Sequence, residues 1–125
     1  MITNKTFLII DDFATMRKIL TNFLKKLGYT NITEAENAEL GWDLIQKQDF
    51  DLVISDYNMP EMNGLELLTK IRQDARLQNQ KFIMLTAETD RDILISTRKL
   101  HIDGYILKPF TIEVIEEKIN SIFNS

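Results

Sequence analysis

Five short apolar runs alternate with longer amphipathic stretches along this chain of 125 residues. This alternation is typical of an α/β domain in which helices connect the strands of a parallel sheet. The expected strands cover residues 5–10, 31–34, 51–56, 81–86 and 104–108. The first and third runs are the most continuously apolar, as expected for central strands that are covered on both faces. The sequence therefore predicts a parallel sheet between two layers of helices.

The stretches between these runs carry apolar residues at three- and four-residue spacing, which predicts amphipathic helices. In the first stretch the apolar stripe runs from Met16 to Leu27, and Gly28 is suited to end the helix. The last helix is expected to begin after Thr111, whose hydroxyl can act as an N-cap. Since no linker, repeat or low-complexity segment interrupts the pattern, residues 1–125 are expected to form one domain without an output domain.

The composition argues against several classes of protein. The chain has no cysteine, which excludes disulfides and thiolate metal sites. No apolar stretch approaches the roughly 20 residues that span a bilayer, and the N-terminus has no secretion-signal pattern. A formal net charge of -4, without a basic stripe, argues against binding to nucleic acid. We therefore expect a cytoplasmic protein that binds neither membranes nor nucleic acids.

Polar side chains follow the apolar runs at the point where each expected strand ends. Asp11 and Asp12 follow the first strand, Asp56 ends the third, and Thr86 and Lys108 close the fourth and fifth. The carboxyl ends of parallel strands meet at one edge of a sheet, so one pocket can hold all these groups. Three clustered carboxylates require a cation, and without a metal ion their mutual repulsion is expected to raise at least one pKa.

Several segments resemble the receiver domains of response regulators, and in particular the CheY-like chemotaxis members of that family. The resemblance covers essentially the whole chain, and its segments are residues 11–13, 15–17, 54–60, 63–68, 86–88, 104–105 and 108–110. It implies a flavodoxin-like, doubly wound (βα)5 fold with strand order 2-1-3-4-5. This strand order comes from the resemblance and not from the periodicity of the sequence.

The resemblance also implies roles for the pocket residues. Asp56 would accept a phosphoryl group, with Lys108 and Thr86 as the other catalytic residues. The implied ligands of one Mg²⁺ are Asp12, Asp56, the main-chain carbonyl of Asn58 and, through water, Asp11. A carboxylate can form an acyl phosphate if the transferred charge is neutralised, and Mg²⁺ prefers such oxygen ligands. Lys108 would pair with Asp56 before the reaction and with a phosphoryl oxygen afterwards.

Thr86 and Tyr105 are the expected switch residues, because Thr86 would bond the phosphoryl group and vacate space for the Tyr105 ring. Residues flanking the site would tune access and hydrolysis, and these are Asn58, Ala87 and Glu88. The expected partner face comprises Arg98, His101, Ile102, Tyr105 and Lys118. Bulky residues precede Tyr105 where the family usually has small ones, which predicts a distinct partner footprint. The Lys108–Pro109 bond is a candidate cis peptide.

The implied partners are a histidine kinase of the chemotaxis type, the flagellar motor switch or another phosphorylation-dependent target, and possibly a phosphatase. A monomer is expected that catalyses its own phosphorylation and dephosphorylation without being a conventional enzyme. Two alternatives use the same pocket: a phosphorelay intermediate and a phosphate sink. A Mg²⁺-dependent aspartyl-phosphate hydrolase is disfavoured, since such enzymes place a second acid where this chain has Asn58. A purely structural binding module would not need the pocket at all.

Overall fold

The computed structural model describes residues 4–87 and 89–124. The strands are β1 (Thr6–Ile10), β2 (Asn31–Ala35), β3 (Leu52–Asp56), β4 (Phe82–Thr86) and β5 (Gly104–Leu107). The helices are α1 (Ala14–Lys26), α2 (Ala38–Lys47), α3 (Gly64–Gln73), α4 (Arg91–Lys99) and α5 (Ile112–Phe123). All strand pairings are parallel, and the order β2-β1-β3-β4-β5 confirms the expected topology. Predicted and observed strand limits differ by one residue at most.

The sheet separates two apolar cores, as the continuous hydrophobicity of its central strands predicts. One core lies under α2 and α3 and includes Leu8, Val53 and Met84 from the sheet. The other lies under α1 and α5 and includes Phe7, Ile54 and Ile83. Successive residues of a strand point to opposite faces, so β1, β3 and β4 each contribute to both cores. The helices therefore cover both faces of a buried sheet.

The helix ends show the local signals that the sequence predicts. Gly28 has a φ of 99°, in the left-handed region that favours glycine, and it follows the C-cap of α1. The Thr111 hydroxyl accepts a hydrogen bond from the Val114 amide and caps the N-terminus of α5. Asn63 caps α3 in a reciprocal capping box with Glu66. Among the described residues, the helices are too short and too polar for a membrane span.

Candidate functional site

The carboxyl ends of β1 and β3 bring three aspartates together. One carboxylate oxygen from each of Asp11, Asp12 and Asp56 lies within 4.8 Å of the others. Asp11 is fully buried and Asp56 is 4% exposed, whereas Asp12 is exposed. The cluster is thus open to solvent on the side of Asp12 and closed by the sheet on the other. The predicted meeting of these three carboxylates is confirmed.

Asp11 has one carboxylate oxygen occupied and one available. Its Oδ1 atom accepts a hydrogen bond of 2.9 Å from the Phe13 amide. Its Oδ2 atom is buried and has no hydrogen-bond partner among the described residues, and it lies 3.8 Å from the Lys108 ammonium. A buried oxygen left in this state is costly unless a further ligand satisfies it. Together with the neighbouring carboxylates, this atom makes the pocket suitable for a hard, oxygen-preferring cation.

Lys108 pairs directly with Asp56. The Lys108 Nζ atom donates a hydrogen bond of 2.7 Å to Asp56 Oδ1, in a geometry typical of a charge-assisted bond. Lys108 follows β5, and its main-chain amide donates to the Thr86 carbonyl at 2.8 Å, which continues the pairing with β4. The Lys108–Pro109 peptide bond is cis, as expected. One oxygen of Asp56 is therefore held by an ammonium group at the edge of the sheet.

Burial raises the pKa of two of the three aspartates. For Asp11 it raises the pKa to about 6, while the Phe13 amide opposes the shift and the charge of Asp56 adds to it. For Asp56, burial also raises the pKa, and the hydrogen bond and charge of Lys108 oppose it. The predicted direction is correct, but repulsion between like charges is a smaller cause than the loss of hydration.

A glycine allows α3 to begin directly against the site. The Gly64 amide donates to the Tyr57 carbonyl at 2.9 Å, just beyond the end of β3. A Cβ atom at Gly64 would lie 2.6 Å from the main-chain oxygen of Asp56 and 2.5 Å from the Met84 sulfur. No larger residue fits without moving the backbone of Asp56. The Asn-Gly pair at 63–64 thus combines a helix cap with a close backbone approach.

The other residues expected around the pocket lie at its margins. Thr86 is 1% exposed at the end of β4, next to Leu85, which is paired with Asp56 in the sheet. Asn58 and Ala87 are exposed. Glu88 lies outside the described residues.

Tyr105 lies on β5 and lines a groove that opens to solvent. The groove has a volume of about 230 Å³, and its other lining residues are Thr89, Asp90, Leu94 and Leu107. Leu107 is 47% exposed and Ile95 of α4 is 42% exposed. Sequence reasoning missed both apolar residues, since neither was among the residues expected on the partner face.

The expected partner face is only partly a surface. Arg98 and His101 are exposed, and Lys118 of α5 is partly buried. Ile102 is also partly buried and packs against the core under α2 and α3. Only part of this side chain is therefore available to a partner, and its place on the partner face stays a prediction.

Two partly buried arginines were also missed. Arg17 of α1 donates to the Asp11 main-chain carbonyl at 2.7 Å. Arg72 of α3 donates to the carbonyls of Leu100 and Gln80 at 2.7 and 2.8 Å. Both arginines donate to main-chain carbonyls, for which the spacing of residue types provides no signal.

Comparison with known proteins identifies the relatives of this fold and site. Residues 7–120 match the family described as the response regulator receiver domain. The chemotaxis protein CheY of Pseudomonas aeruginosa is 43% identical over 116 residues, covering 93% of this chain and 94% of that protein. The chemotaxis protein CheY-3 of Vibrio cholerae is 42% identical over 120 residues, covering 96% and 92%.

Solved structures agree with these matches. The chemotaxis protein CheY4 of Vibrio cholerae superposes with a TM-score of 0.86 at 27% identity, covering 94% of this chain and 98% of that one. A response regulator receiver domain protein from Clostridium thermocellum gives 0.87 at 26% identity, covering 96% and 94%. The similarity therefore extends over both the sequence and the fold.

Proposed function

The chain belongs to the response regulator receiver domain family, and on that basis we propose that Asp56 accepts a phosphoryl group from a histidine kinase. The observation that carries this proposal is the state of Asp56, which is nearly buried and hydrogen-bonded to Lys108 at 2.7 Å. A carboxylate in this position is shielded from bulk water on one side and reachable from the side of Asp12. A phosphoryl donor can approach it from there.

Receiver domains bind Mg²⁺ at an acidic pocket, and the residues present here fit such an ion. The three clustered carboxylates and the unsatisfied Oδ2 atom of Asp11 are hard oxygen donors with excess negative charge. The ligands we propose are Asp12, Asp56 and the main-chain carbonyl of Asn58, with Asp11 acting through water. When bound, Mg²⁺ supplies the positive charge that neutralises the transferred phosphoryl oxygens.

The transfer itself requires little from the protein beyond positioning and charge. An oxygen of Asp56 attacks the phosphorus atom of a phosphohistidine or of acetyl phosphate. The bond from phosphorus to the leaving nitrogen or oxygen breaks, and the leaving group departs with the electron pair. Lys108 then shifts from the carboxylate to a phosphoryl oxygen. Attack of water on the same phosphorus atom later restores Asp56 and releases phosphate.

The switch we propose joins the pocket to the groove beside β5. Thr86 ends β4 near Asp56, and its main-chain carbonyl is bonded to the Lys108 amide. A hydroxyl that moves to bond the phosphoryl group would shift the chain at Ala87. Tyr105, which is partly buried on the neighbouring strand, would then turn inward. Ala87, Asn58 and Glu88 would tune donor access and the rate of hydrolysis.

The output we propose is phosphorylation-dependent binding to a separate protein, with the flagellar motor switch as the first candidate. The support is the similarity to chemotaxis proteins over more than nine-tenths of the chain. The groove at Leu94, Tyr105 and Leu107, with exposed Arg98 and His101 farther along, is the proposed partner face. The donor would be a chemotaxis-type kinase, a phosphatase is a further candidate partner, and the protein would act as a cytoplasmic monomer.

Intact mass after incubation with acetyl phosphate tests the phosphoryl transfer. We expect the native chain to gain one phosphoryl group only with Mg²⁺ present, and the adduct to decay as water attacks it. Asp56→Asn should gain none. Asp49→Asn is the matched control, because Asp49 is exposed in the α2–β3 loop and should leave the adduct unchanged. Equal labelling of the native chain and Asp56→Asn would contradict the proposal.

Binding to a flagellar motor switch protein separates the possible outputs. A phosphorylated messenger should bind this protein more tightly than the unmodified chain does. A phosphate sink or a relay intermediate would be phosphorylated on Asp56 with no such gain. In a relay, the phosphoryl group would pass to the histidine of an added phosphotransfer domain.

A further inference from the structure

We infer that Arg17 is a positioning residue for the metal pocket, and that Glu34 orients its guanidinium group. Among the described residues, Arg17 makes no hydrogen bond or ion pair with the three pocket carboxylates. Instead it holds the main chain at the point where β1 turns into the pocket. The inference rests on the proposed Mg²⁺ site and adds the element that keeps Asp11 and Asp12 in place.

Arg17 bridges two elements with well-defined contacts. Its Nη1 atom donates to the Asp11 main-chain carbonyl at 2.7 Å, and its Nε atom donates to Glu34 Oε1 at 3.1 Å. The Thr21 hydroxyl lies 3.4 Å from the other oxygen of Glu34. The Arg17 side chain is 17% exposed. The planar guanidinium is therefore held by α1 and β2 at once and presents a fixed donor to Asp11.

Asp11 needs this donor because it lies beyond the end of its strand. β1 ends at Ile10, and the Asp11 amide makes a last sheet-like bond to the Ala35 carbonyl at 3.2 Å. Arg17 then satisfies the Asp11 carbonyl, and the Phe13 amide satisfies Oδ1. These three bonds determine how the residue is oriented. The carboxylate oxygen that remains, Oδ2, is the one left without a hydrogen-bond partner within residues 4–87 and 89–124.

The same carbonyl group belongs to the peptide bond that leads into Asp12. Fixing this peptide plane limits where the Asp12 carboxylate can lie relative to Asp56. A metal ligand that is exposed on a loop otherwise loses conformational entropy when it binds. Groups that orient ligands in this way strongly affect metal affinity. We therefore expect Arg17 to contribute to Mg²⁺ affinity through geometry.

Charge and geometry predict changes of opposite sign in Mg²⁺ affinity when Arg17 is removed. Arg17 is a cation close to a cation site, so electrostatics alone predicts that its removal tightens Mg²⁺ binding. Positioning predicts that its removal weakens binding. The sign of the change therefore separates the two roles, and a purely structural role in stability would leave the affinity of the folded protein unchanged.

Titration calorimetry with Mg²⁺ on Arg17→Met and Lys18→Met tests the inference. Both variants lose one positive charge and keep an aliphatic stem, and Lys18 is exposed next to Arg17 in α1. We expect Arg17→Met to bind Mg²⁺ about tenfold more weakly. Lys18→Met should bind as the native chain does or slightly more tightly. Binding by Arg17→Met that equals or exceeds that of the native chain would overturn the inference.

Glu34→Gln provides a second variant that keeps Arg17 and removes its anionic partner. We expect a smaller loss of Mg²⁺ affinity, and the double variant should bind no more weakly than Arg17→Met alone, because both act through one contact. If Arg17→Met fails to fold, the Mg²⁺ affinity of Glu34→Gln is the deciding measurement. An affinity equal to that of the native chain would refute the inference. Asp12→Asn tests the premise: if it binds like the native chain, the proposed Mg²⁺ site is wrong and the inference fails with it.

Discussion

Asp11 shows how a single residue can oppose the stability of its own fold. Its carboxylate is fully buried, and burial raises its pKa from the ordinary value of 3.8 to about 6. The native state therefore binds a proton more tightly than the unfolded chain does. As pH falls through about 6 toward 3.8, this residue should make the protein more stable, and as pH rises the gain is lost. A divalent cation bound at this carboxylate would compete with the proton.

The first prediction follows for the protein in EDTA. Between about pH 7.5 and about pH 5.5, Asp11 should raise the free energy of unfolding by about 1 kcal/mol. Urea unfolding of the native chain and of Asp11→Asn at both pH values measures this, because the variant lacks the titrating group. On going to the lower pH, the native chain should gain about 1 kcal/mol more in free energy of unfolding than Asp11→Asn does. Parallel pH dependences would show that the Asp11 carboxylate is hydrated or paired in solution.

His101 adopts a backbone conformation that glycine would adopt at lower cost. Its φ is 55°, and α4 ends there in a Schellman pattern, with the Ile102 amide bonded to the Thr97 carbonyl at 3.2 Å. We predict that His101→Gly raises the free energy of unfolding by about 0.5–1 kcal/mol. His101→Ala should give no gain, since alanine has the same steric penalty. Thermal unfolding of both variants measures the difference, and an equal gain in both would point to the imidazole instead.

At the scale of elements, Arg72 ties α3 to the end of α4. It donates to the Leu100 and His101 carbonyls at 2.7 and 3.2 Å and to the Gln80 carbonyl at 2.8 Å. These carbonyls lie at a helix end and in a loop, where the backbone lacks regular partners. The side chain is 10% exposed, and burial lowers the pKa of its guanidinium while Asp103 opposes that shift. The contact thus anchors α4 at the end farther from Asp56.

We predict that Arg72→Met lowers the free energy of unfolding by about 1–2 kcal/mol, because partly buried carbonyls lose charged donors. Amide hydrogen exchange should accelerate at Leu100–Asp103 before it does elsewhere. Arg76→Met is the matched control, since the Arg76 side chain is 67% exposed and its variant should stay within about 0.5 kcal/mol. Similar losses in the two variants would mean that the hydrogen bonds of the Arg72 guanidinium contribute little to the free energy of unfolding.

At the scale of the molecule, both cores share one sheet, and this predicts cooperative unfolding. β1, β3 and β4 contribute side chains to both apolar clusters, so neither layer of helices can lose its core alone. Trp42, the single tryptophan, packs with α2 against one cluster. We predict that its fluorescence and the far-UV circular dichroism report one urea midpoint. Separate midpoints would show that the α2 side melts independently of the sheet.

Structural features that depend on local sequence pattern could be predicted from the sequence. The order of elements and the Thr111 cap follow from periodicity and residue type, and the presence of Asp11 and Asp56 at one edge follows from parallel strands. The strand order came from family resemblance. The contacts of Arg17 and Arg72 could not be predicted, because they depend on elements that only the assembled fold brings together.

The end of β5 places a groove residue and a pocket residue next to each other in the chain. Leu107 lines the groove, and the next residue, Lys108, holds Asp56. Suppose that a target binds this groove more tightly after phosphorylation. Thermodynamic linkage then requires that the bound target favour the phosphorylated form by the same factor. Binding of the target would then raise the phosphorylated fraction of this protein. The abundance of the target, and not the kinase alone, would help to set how much of the protein carries the signal.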